Sequence, residues 1–217
     1  MTDYDTVADG YDGHFGRPVD RWEDERLAGL LAPIVNGRDV LDLGCGTGWL
    51  LDHLAPRSYT GVDSSGAMLA VLQRKHPGAD VIKLAVQPGT FWAGLLLQHA
   101  RDVVTATWAL QYLGDLPALL ADCRELVRPG GTIALHGYLP RYARRRHEIM
   151  AGGLPPPCVH PGQARIAGRS AGLSAPRIAG TGALPDQLAR SRRAWEAAAR
   201  IVPARWHYAA LWTWRVG

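Results

Sequence analysis

The sequence has few cysteines and phenylalanines, and it contains no long uninterrupted apolar run. Its 217 residues include three widely spaced cysteines and no CxxC pair. An odd number of cysteines at such spacing argues against both a disulfide framework and a zinc site. The apolar stretch 110–120 is interrupted by Gln111 and Pro117, so it falls short of the roughly 18–20 apolar residues that a membrane helix needs. We therefore expect reduced thiols and no membrane partner.

The chain also lacks the basic start and apolar run of a secretory signal, which predicts a cytoplasmic location. Its formal net charge is +4, and arginines cluster at 141–146 and 190–193. Because no aromatic residues alternate with them, these clusters favour a solvated basic face over a nucleic-acid surface. A functional anion site is the alternative. We expect no nucleic-acid partner and either a monomer or a homodimer.

The spacing of apolar residues predicts helices and strands in alternation. The predicted helices cover 20–35, 49–54, 65–75, 92–99, 116–127, 162–172 and 184–202. The predicted strands cover 39–43, 59–63, 80–86, 102–106, 132–137, 174–180 and 206–216. Strands that alternate with helices indicate a doubly wound α/β fold, in which helices cover both faces of a parallel sheet.

A glycine-rich turn follows the first predicted strand, with glycines at 44, 46 and 48. In doubly wound sheets, ligands bind at this end of the strands, and glycines let the backbone approach them closely. Asp63, at the end of the second strand, can accept two hydrogen bonds from a ribose diol. The GxGxG spacing differs from the GxGxxG of dinucleotide folds, which favours a ligand without phosphates. The alternatives are an ordinary strand-to-helix connection and a helix-capping Asp63.

Residues 40–48, Val-Leu-Asp-Leu-Gly-Cys-Gly-Thr-Gly, resemble the signature of class I S-adenosylmethionine-dependent methyltransferases. The resemblance covers Tyr4 to Tyr138 and implies a Rossmann-like, seven-stranded, mostly parallel sheet with an antiparallel last strand. Since the length suits one domain, we expect a single methyltransferase domain over 1–217. Its parts would be an N-terminal lid and helix (1–36), a cofactor-binding core (37–138) and a C-terminal substrate-side part with a helical insertion (139–217).

The resemblance implies S-adenosylmethionine as cofactor and S-adenosylhomocysteine as product. Asp42 would orient the turn or the cofactor ammonium, and Asp63 would hold the ribose hydroxyls. Gly44, Gly46 and Gly48 would pass beneath the methionine and ribose. The other cofactor contacts that it implies are Tyr11, Ser64, Met68, Val86 and Ala106.

Two of these implied contacts have structural alternatives, and one expected contact is missing. Ser64 or Ser65 could cap the following helix, and Met68 could belong to the core. Ala85 stands where the family usually has an aspartate facing the adenine amino group. Recognition of adenine would then depend on the Val86 backbone, with Gln87 as a polar substitute.

The acceptor would lie near the ends of the fourth and fifth strands. Methyl transfer needs alignment of the acceptor, exclusion of water and, for a protonated acceptor, a base. We predict His136 as the general base because imidazole titrates near neutral pH; a satisfied, buried histidine is the alternative. The predicted substrate-binding residues are His14, Trp108, Gln111, Tyr112 and Tyr138. No carboxylate cluster in the sequence suggests a metal, so we expect none.

The expected function is methyl transfer to an O, N or C atom of a small-molecule metabolite, in specialised metabolism. Two other interpretations stay open. One is a methyltransferase-fold enzyme that catalyses a non-methylating reaction such as a cyclisation. The other is a non-catalytic binding protein whose adenine contact was lost at Ala85.

Overall fold

The computed structural model describes residues 4–89, 100–139, 158–182, 191–204, 207 and 209–217. Its helices are α1 (Tyr4–Val7), α2 (Pro18–Val35), α3 (Trp49–His53), α4 (Gly66–Lys75), α5 (Leu116–Leu126), α6 (Pro161–Ser170) and α7 (Arg192–Ile201), with 3-10 helices at Ala8–Phe15 and Leu110–Tyr112. Its strands are β1 (Asp39–Leu43), β2 (Ser58–Asp63), β3 (Asp80–Lys83), β4 (Arg101–Ala106), β5 (Val127–Tyr138), β6 (Arg177–Gly180) and β7 (Ala209–Arg215).

The strands form one seven-stranded sheet in the order β3-β2-β1-β4-β5-β7-β6. Neighbouring strands from β3 to β5 are parallel, and β7 runs antiparallel to both β5 and β6. The predicted fold, including its antiparallel last strand, is therefore confirmed. Since the chain order reverses between β1 and β4, a crevice opens at the carboxyl ends of these two strands.

Helices cover both faces of the sheet. Successive residues of a strand point to opposite faces, so neighbouring residues of β1 pack against different helices. On one face, Val40 of β1 packs in a cluster with Leu27 and Leu31 of α2. On the other face, Leu41 packs in a cluster with Leu119 of α5 and Ala164 of α6. None of the helices in the described ranges is both long and apolar enough to cross a membrane.

Several element boundaries differ from the predicted ones. Strand β3 ends at Lys83, three residues earlier than predicted, and β6 begins at Arg177, directly after a proline that lacks an N–H for the ladder. The 3-10 helix at Leu110–Tyr112 was not predicted. The predicted helix at 92–99, the first residues of the predicted helix at 184–202 and the arginine cluster at 141–146 lie outside the described residues.

Arg26 connects α2 to the C-terminal part of the chain. Its Nε donates a hydrogen bond to the Gly180 carbonyl at 2.8 Å, and its Nη2 donates to the Ala199 carbonyl at 3.0 Å. Near the same place, the rings of Trp22 and Trp195 are 6.3 Å apart. The position of α2 beside the crevice therefore depends on contacts with β6 and α7.

We predict that Arg26→Lys lowers the free energy of unfolding by about 1–2 kcal/mol, because an ammonium group cannot span both carbonyl oxygens. Urea denaturation of the variant measures this change. Arg21→Lys is the matched control, since Arg21 is an exposed arginine of the same helix. Equal losses in the two variants would contradict the bridging role of Arg26.

Candidate active site

The three glycines of the turn after β1 all have left-handed backbone conformations, with φ of 67° at Gly44, 53° at Gly46 and 96° at Gly48. A Cβ atom at Gly44 would lie 2.5 Å from Ala109 Cβ, and one at Gly48 would lie 2.9 Å from Leu72 Cγ. A Cβ atom at Gly46 would meet nothing within 4 Å. Gly44 and Gly48 are thus required by packing, whereas Gly46 keeps bare backbone at an open face.

Asp63 holds this turn in place from the end of β2. Its Oδ2 accepts a hydrogen bond from the Gly46 N–H, and its Oδ1 accepts one from the Ser65 N–H, both at 2.9 Å. The carboxylate is only partly buried, and each of its oxygens can accept a further bond. The structure therefore brings Asp63 and the glycine turn together as the sequence predicted, while the predicted ribose contact stays a prediction.

Asp42 lies inside the sheet and not on the surface of the crevice. Its carboxylate accepts hydrogen bonds from Thr105 Oγ1 at 2.8 Å and from the Tyr59 hydroxyl at 3.2 Å. Burial raises the pKa of Asp42 to about 7, a rise that Thr105 and Tyr59 oppose by hydrogen bonding and that the charge of Asp63 reinforces. Asp42 therefore links β1 to β2 and β4 directly below the turn.

The N-terminal segment, residues 4–15, lies over the start of α4. Ser65 caps this helix by accepting a hydrogen bond from the Met68 N–H at 3.1 Å, and its hydroxyl donates to Asp5. Met68 is 2% exposed and packs in a small cluster with Ala8. Ser65 and not Ser64 is therefore the helix cap, and the buried side of Met68 faces the N-terminal segment.

The remaining predicted cofactor residues lie at different depths. Ala106 is fully buried at the end of β4, and Tyr11 is half-buried in the N-terminal segment. Beyond β3, Ala85 is exposed and Val86 is half-buried against the core. The surface beyond β3 at Ala85 is therefore open and carries no carboxylate. Ala106 could contact a cofactor only through its backbone.

A cavity of about 250 Å³ opens beside the glycine turn. Its walls combine the turn itself with aromatic and acidic side chains. The aromatic lining residues are Tyr11, Phe15, Trp49, Trp108, Tyr112 and Tyr138, and the acidic ones are Asp12, Asp20, Glu23, Asp24 and Asp52. Such a mixture suits a small organic ligand whose orientation is fixed by a few polar groups.

Four of the five predicted substrate-binding residues line this cavity, namely Trp108, Gln111, Tyr112 and Tyr138. His14 is not among the lining residues; it is exposed, and its Nδ1 contacts the Gly10 carbonyl at 2.9 Å. Sequence reasoning missed the wall contributed by α2. The sequence held a signal for this wall. Asp20, Glu23 and the core residue Leu27 are separated by three and four residues, so all three lie on one face of the helix.

Trp108 has a φ of 57°, a left-handed conformation that is rare for a bulky residue. Its carbonyl accepts a hydrogen bond from Gln111 Nε2 at 2.6 Å. Its ring centre lies 4.2 Å from that of His136, in an edge-on arrangement, and 5.8 Å from that of Tyr138. Strain of this kind persists where surrounding contacts fix the residue, and it is concentrated at functional sites.

His136 is fully buried and does not line the cavity, because the Trp108 ring packs against it. Its Nε2 lies 2.8 Å from Thr181 Oγ1. Burial lowers the pKa of His136 to about 3, so the imidazole is neutral near pH 7. The role of general base stays a prediction, and the described contacts of His136 are with Thr181 and Trp108.

The residues around the glycine turn match a known family. The family model of the methyltransferase domain matches residues 40–131. The nocamycin O-methyltransferase of Saccharothrix syringae is 30% identical over 200 residues, which are 85% of this chain and 69% of that protein. The ubiquinone biosynthesis O-methyltransferase of Pseudomonas aeruginosa strain LESB58 is 36% identical over 126 residues, which are 52% of this chain and 47% of that protein.

The trans-aconitate 2-methyltransferase of Delftia acidovorans is 33% identical over 124 residues, or 53% of this chain and 45% of that protein. The chain thus spans about half the length of several curated relatives that it matches. Among solved structures, a SAM-dependent methyltransferase from Archaeoglobus fulgidus superimposes with a TM-score of 0.67 at 17% identity, covering 94% of this chain and 97% of that chain. At this identity the likeness concerns the fold.

We predict that Asp42 makes folding stability fall as the pH rises from about 4 to 7. The pKa of Asp42 is raised from 3.8 to about 7 by burial, so between these values the folded state binds a proton that the unfolded state has released. Protonation favours folding in this window, and that stabilisation is lost as the pH passes 7. Asp42→Asn should flatten the profile, which urea denaturation across this pH range measures. Parallel profiles for the two proteins would contradict the assignment.

Proposed function

The chain belongs to the class I S-adenosylmethionine-dependent methyltransferases, and from this premise we propose that it methylates an oxygen, nitrogen or carbon atom of a small molecule. The observation that carries the proposal is the open glycine turn at Gly46, held by Asp63, on the wall of the aromatic cavity. The relative that covers 85% of this chain is named for nocamycin, which supports a small acceptor from specialised metabolism.

Two features of the turn bear on whether these residues fit the cofactor. The space above Gly46 is free of protein atoms within 4 Å of an added Cβ, so a ligand could lie against the bare backbone. Asp63 uses one lone pair of each oxygen for the turn and keeps others for a ribose diol. The residues fit, with the adenine end served by the backbone near Val86 because Ala85 offers no carboxylate.

The glycine turn and Asp63 would hold S-adenosylmethionine, which would supply an electrophilic methyl group for an acceptor lone pair, with the thioether of S-adenosylhomocysteine as the leaving group. The protein's part is alignment and exclusion of water. Trp108, Gln111, Tyr112 and Tyr138 line the acceptor side of the cavity. An acceptor atom with a free lone pair then needs no base.

The N-terminal segment would close the cavity. The ring of Tyr4 lies 5.7 Å from that of Tyr112, and the ring of Tyr11 lies 6.0 Å from that of Tyr4. These edge-on contacts connect the segment to the loop after β4. These contacts support our proposal that residues 4–15 act as a cover that shields the reacting atoms from water, the role of the lid that the sequence predicts.

We predict that Gly46→Ala weakens binding of S-adenosylhomocysteine at least about tenfold, a loss of about 1.4 kcal/mol. The added methyl group would project into the open space that the cofactor needs. Calorimetric titration of the wild type and the variant measures the change. Wild-type protein that is folded but binds neither S-adenosylmethionine nor S-adenosylhomocysteine would overturn the proposed function.

Gly37→Ala is the matched control for this substitution. Gly37 also has a positive φ, of 70°, and a methyl group added there would likewise meet nothing within 4 Å. Both substitutions place alanine in the left-handed region, which costs roughly 1–2 kcal/mol. The two variants should therefore lose similar stability, and Gly46→Ala alone should lose affinity for S-adenosylhomocysteine.

We predict that Asp63→Asn also weakens binding of S-adenosylhomocysteine, by about 1–3 kcal/mol, which is a rise in Kd of roughly 5-fold to 150-fold. The amide replaces one acceptor oxygen by an NH₂ group, which would face a backbone N–H of Gly46 or Ser65. Asp80→Asn, at the exposed start of β3, controls for the change in net charge. Equal affinity in all three proteins would remove Asp63 from the cofactor site.

A further inference from the structure

We propose that the acceptor carries a protonated amino group, bound at the cavity wall by the carboxylate of Asp24 beside the indole rings of Trp49 and Trp108. This ammonium group serves recognition, and the methyl group goes to a different atom of the same molecule that keeps a free lone pair. The inference deepens the proposed function and rests on it, because it identifies the chemical class of the molecule that the cavity takes. Three observations support it: the charge of Asp24, the Gln111 side-chain oxygen and the two indole rings that line the cavity.

Within the part of the chain that the structure describes, Asp24 is a lining carboxylate without a lysine or arginine partner. Among the described residues, Asp20 pairs with Arg17, and Asp12 and Asp52 both pair with Lys75. Within those same residues, Asp24 forms no ion pair with a lysine or arginine, and its Oδ1 accepts a hydrogen bond from Trp49 Nε1 at 2.8 Å. A partly buried carboxylate in this position is stabilised by any cation that enters the cavity.

The pKa of Asp24 is raised, as expected for a partly buried carboxylate without a cationic partner among the described residues. Burial raises it to about 6, and hydrogen bonding from Trp49 and Trp108 together with the nearby His53 only partly opposes this rise. The His53 ring is stacked on that of Trp49 at 4.6 Å. Asp24 is therefore ionised at neutral pH, at the cost of its desolvation.

Gln111 supplies a second, independent acceptor. Its side chain is buried, with 6% of the residue exposed, and it lines the same cavity. Its Nε2 donates to the Trp108 carbonyl, while its Oε1 has no hydrogen-bond partner among the described residues. A buried acceptor without a donor is costly. An ammonium group, with three N–H donors and no acceptor, complements both Asp24 and Gln111.

The aromatic lining favours the same ligand class. Trp49 and Trp108 both line the cavity beside Asp24, and indole faces attract cations by about 0.5–2 kcal/mol. Of the residues that the structure describes, no lysine or arginine lines this cavity. A carboxylate-bearing acceptor would find no described lysine or arginine there and would face the like charges of the lining carboxylates, which disfavours it.

The test compares probes that share an aromatic ring and a two-carbon spacer and differ in the terminal group, which is cationic, neutral or anionic. Protein saturated with S-adenosylhomocysteine is titrated calorimetrically with 2-phenylethylamine, 2-phenylethanol and 3-phenylpropanoate, and then with tryptamine, tryptophol and indole-3-propanoate. In each set, we expect the amine to bind at least about tenfold more tightly than the alcohol, and the carboxylate to bind most weakly. This difference corresponds to about 1.4 kcal/mol.

Asp24→Asn should abolish the preference for the amines while leaving the affinity for S-adenosylhomocysteine within about twofold of wild type. Asp80→Asn, which removes one negative charge at the exposed start of β3, should keep the preference. Gln111→Met, which removes the unpaired oxygen and retains side-chain length, should weaken the amines more than the alcohols. It also keeps the test decisive if Asp24→Asn fails to fold.

The possible failures are distinguishable. Wild-type protein that binds S-adenosylhomocysteine but shows no amine preference in either probe set, or binds none of the probes, overturns this inference alone. If Asp24→Asn weakens S-adenosylhomocysteine as much as the amines, Asp24 serves the cofactor and the inference is wrong. If wild-type protein binds no S-adenosylhomocysteine, the proposed function falls, and the inference falls with it.

Discussion

The carboxylate of Asp63 joins the ends of two neighbouring strands. One oxygen accepts the Gly46 N–H from the turn after β1, and the other accepts the Ser65 N–H at the start of α4. A turn of left-handed glycines has little conformational preference of its own, so a fixed acceptor is needed to hold it open. The Asp63 side chain therefore fixes the glycine turn beside the cavity and the start of α4 relative to each other.

Local signals in the sequence predicted this part of the molecule well. The apolar run of β1, the glycines that follow it and Asp63 form a pattern that depends on neighbouring residues, and the family and fold predicted from it are confirmed. Three of the predicted substrate residues follow β4 and the fourth, Tyr138, ends β5, so the crevice rule placed them at the cavity. Their roles, like those of the cofactor contacts, stay predictions.

What the sequence could not reveal depends on packing between distant segments. The acidic wall comes from α2, whose angle is set by contacts of Arg26 with β6 and α7. Helical periodicity put Asp20 and Glu23 on the core face, but only the assembled fold places Asp24 beside Trp49. His136 is likewise buried in β5 with the Trp108 ring against it, and no local rule anticipates the left-handed backbone at Trp108.

Two of the contacts that hold the N-terminal segment over α4 are ion pairs near the surface. Arg74 and Asp9 are 62% and 87% exposed, whereas Lys75 and Asp12 are 29% and 53% exposed. An exposed pair of this kind contributes about 0–1 kcal/mol, and dissolved ions weaken it further over a Debye length of about 8–10 Å. If residues 4–15 form the proposed cover, entry and exit of ligands would quicken as ionic strength rises, and turnover would respond to the salt content of the surrounding solution.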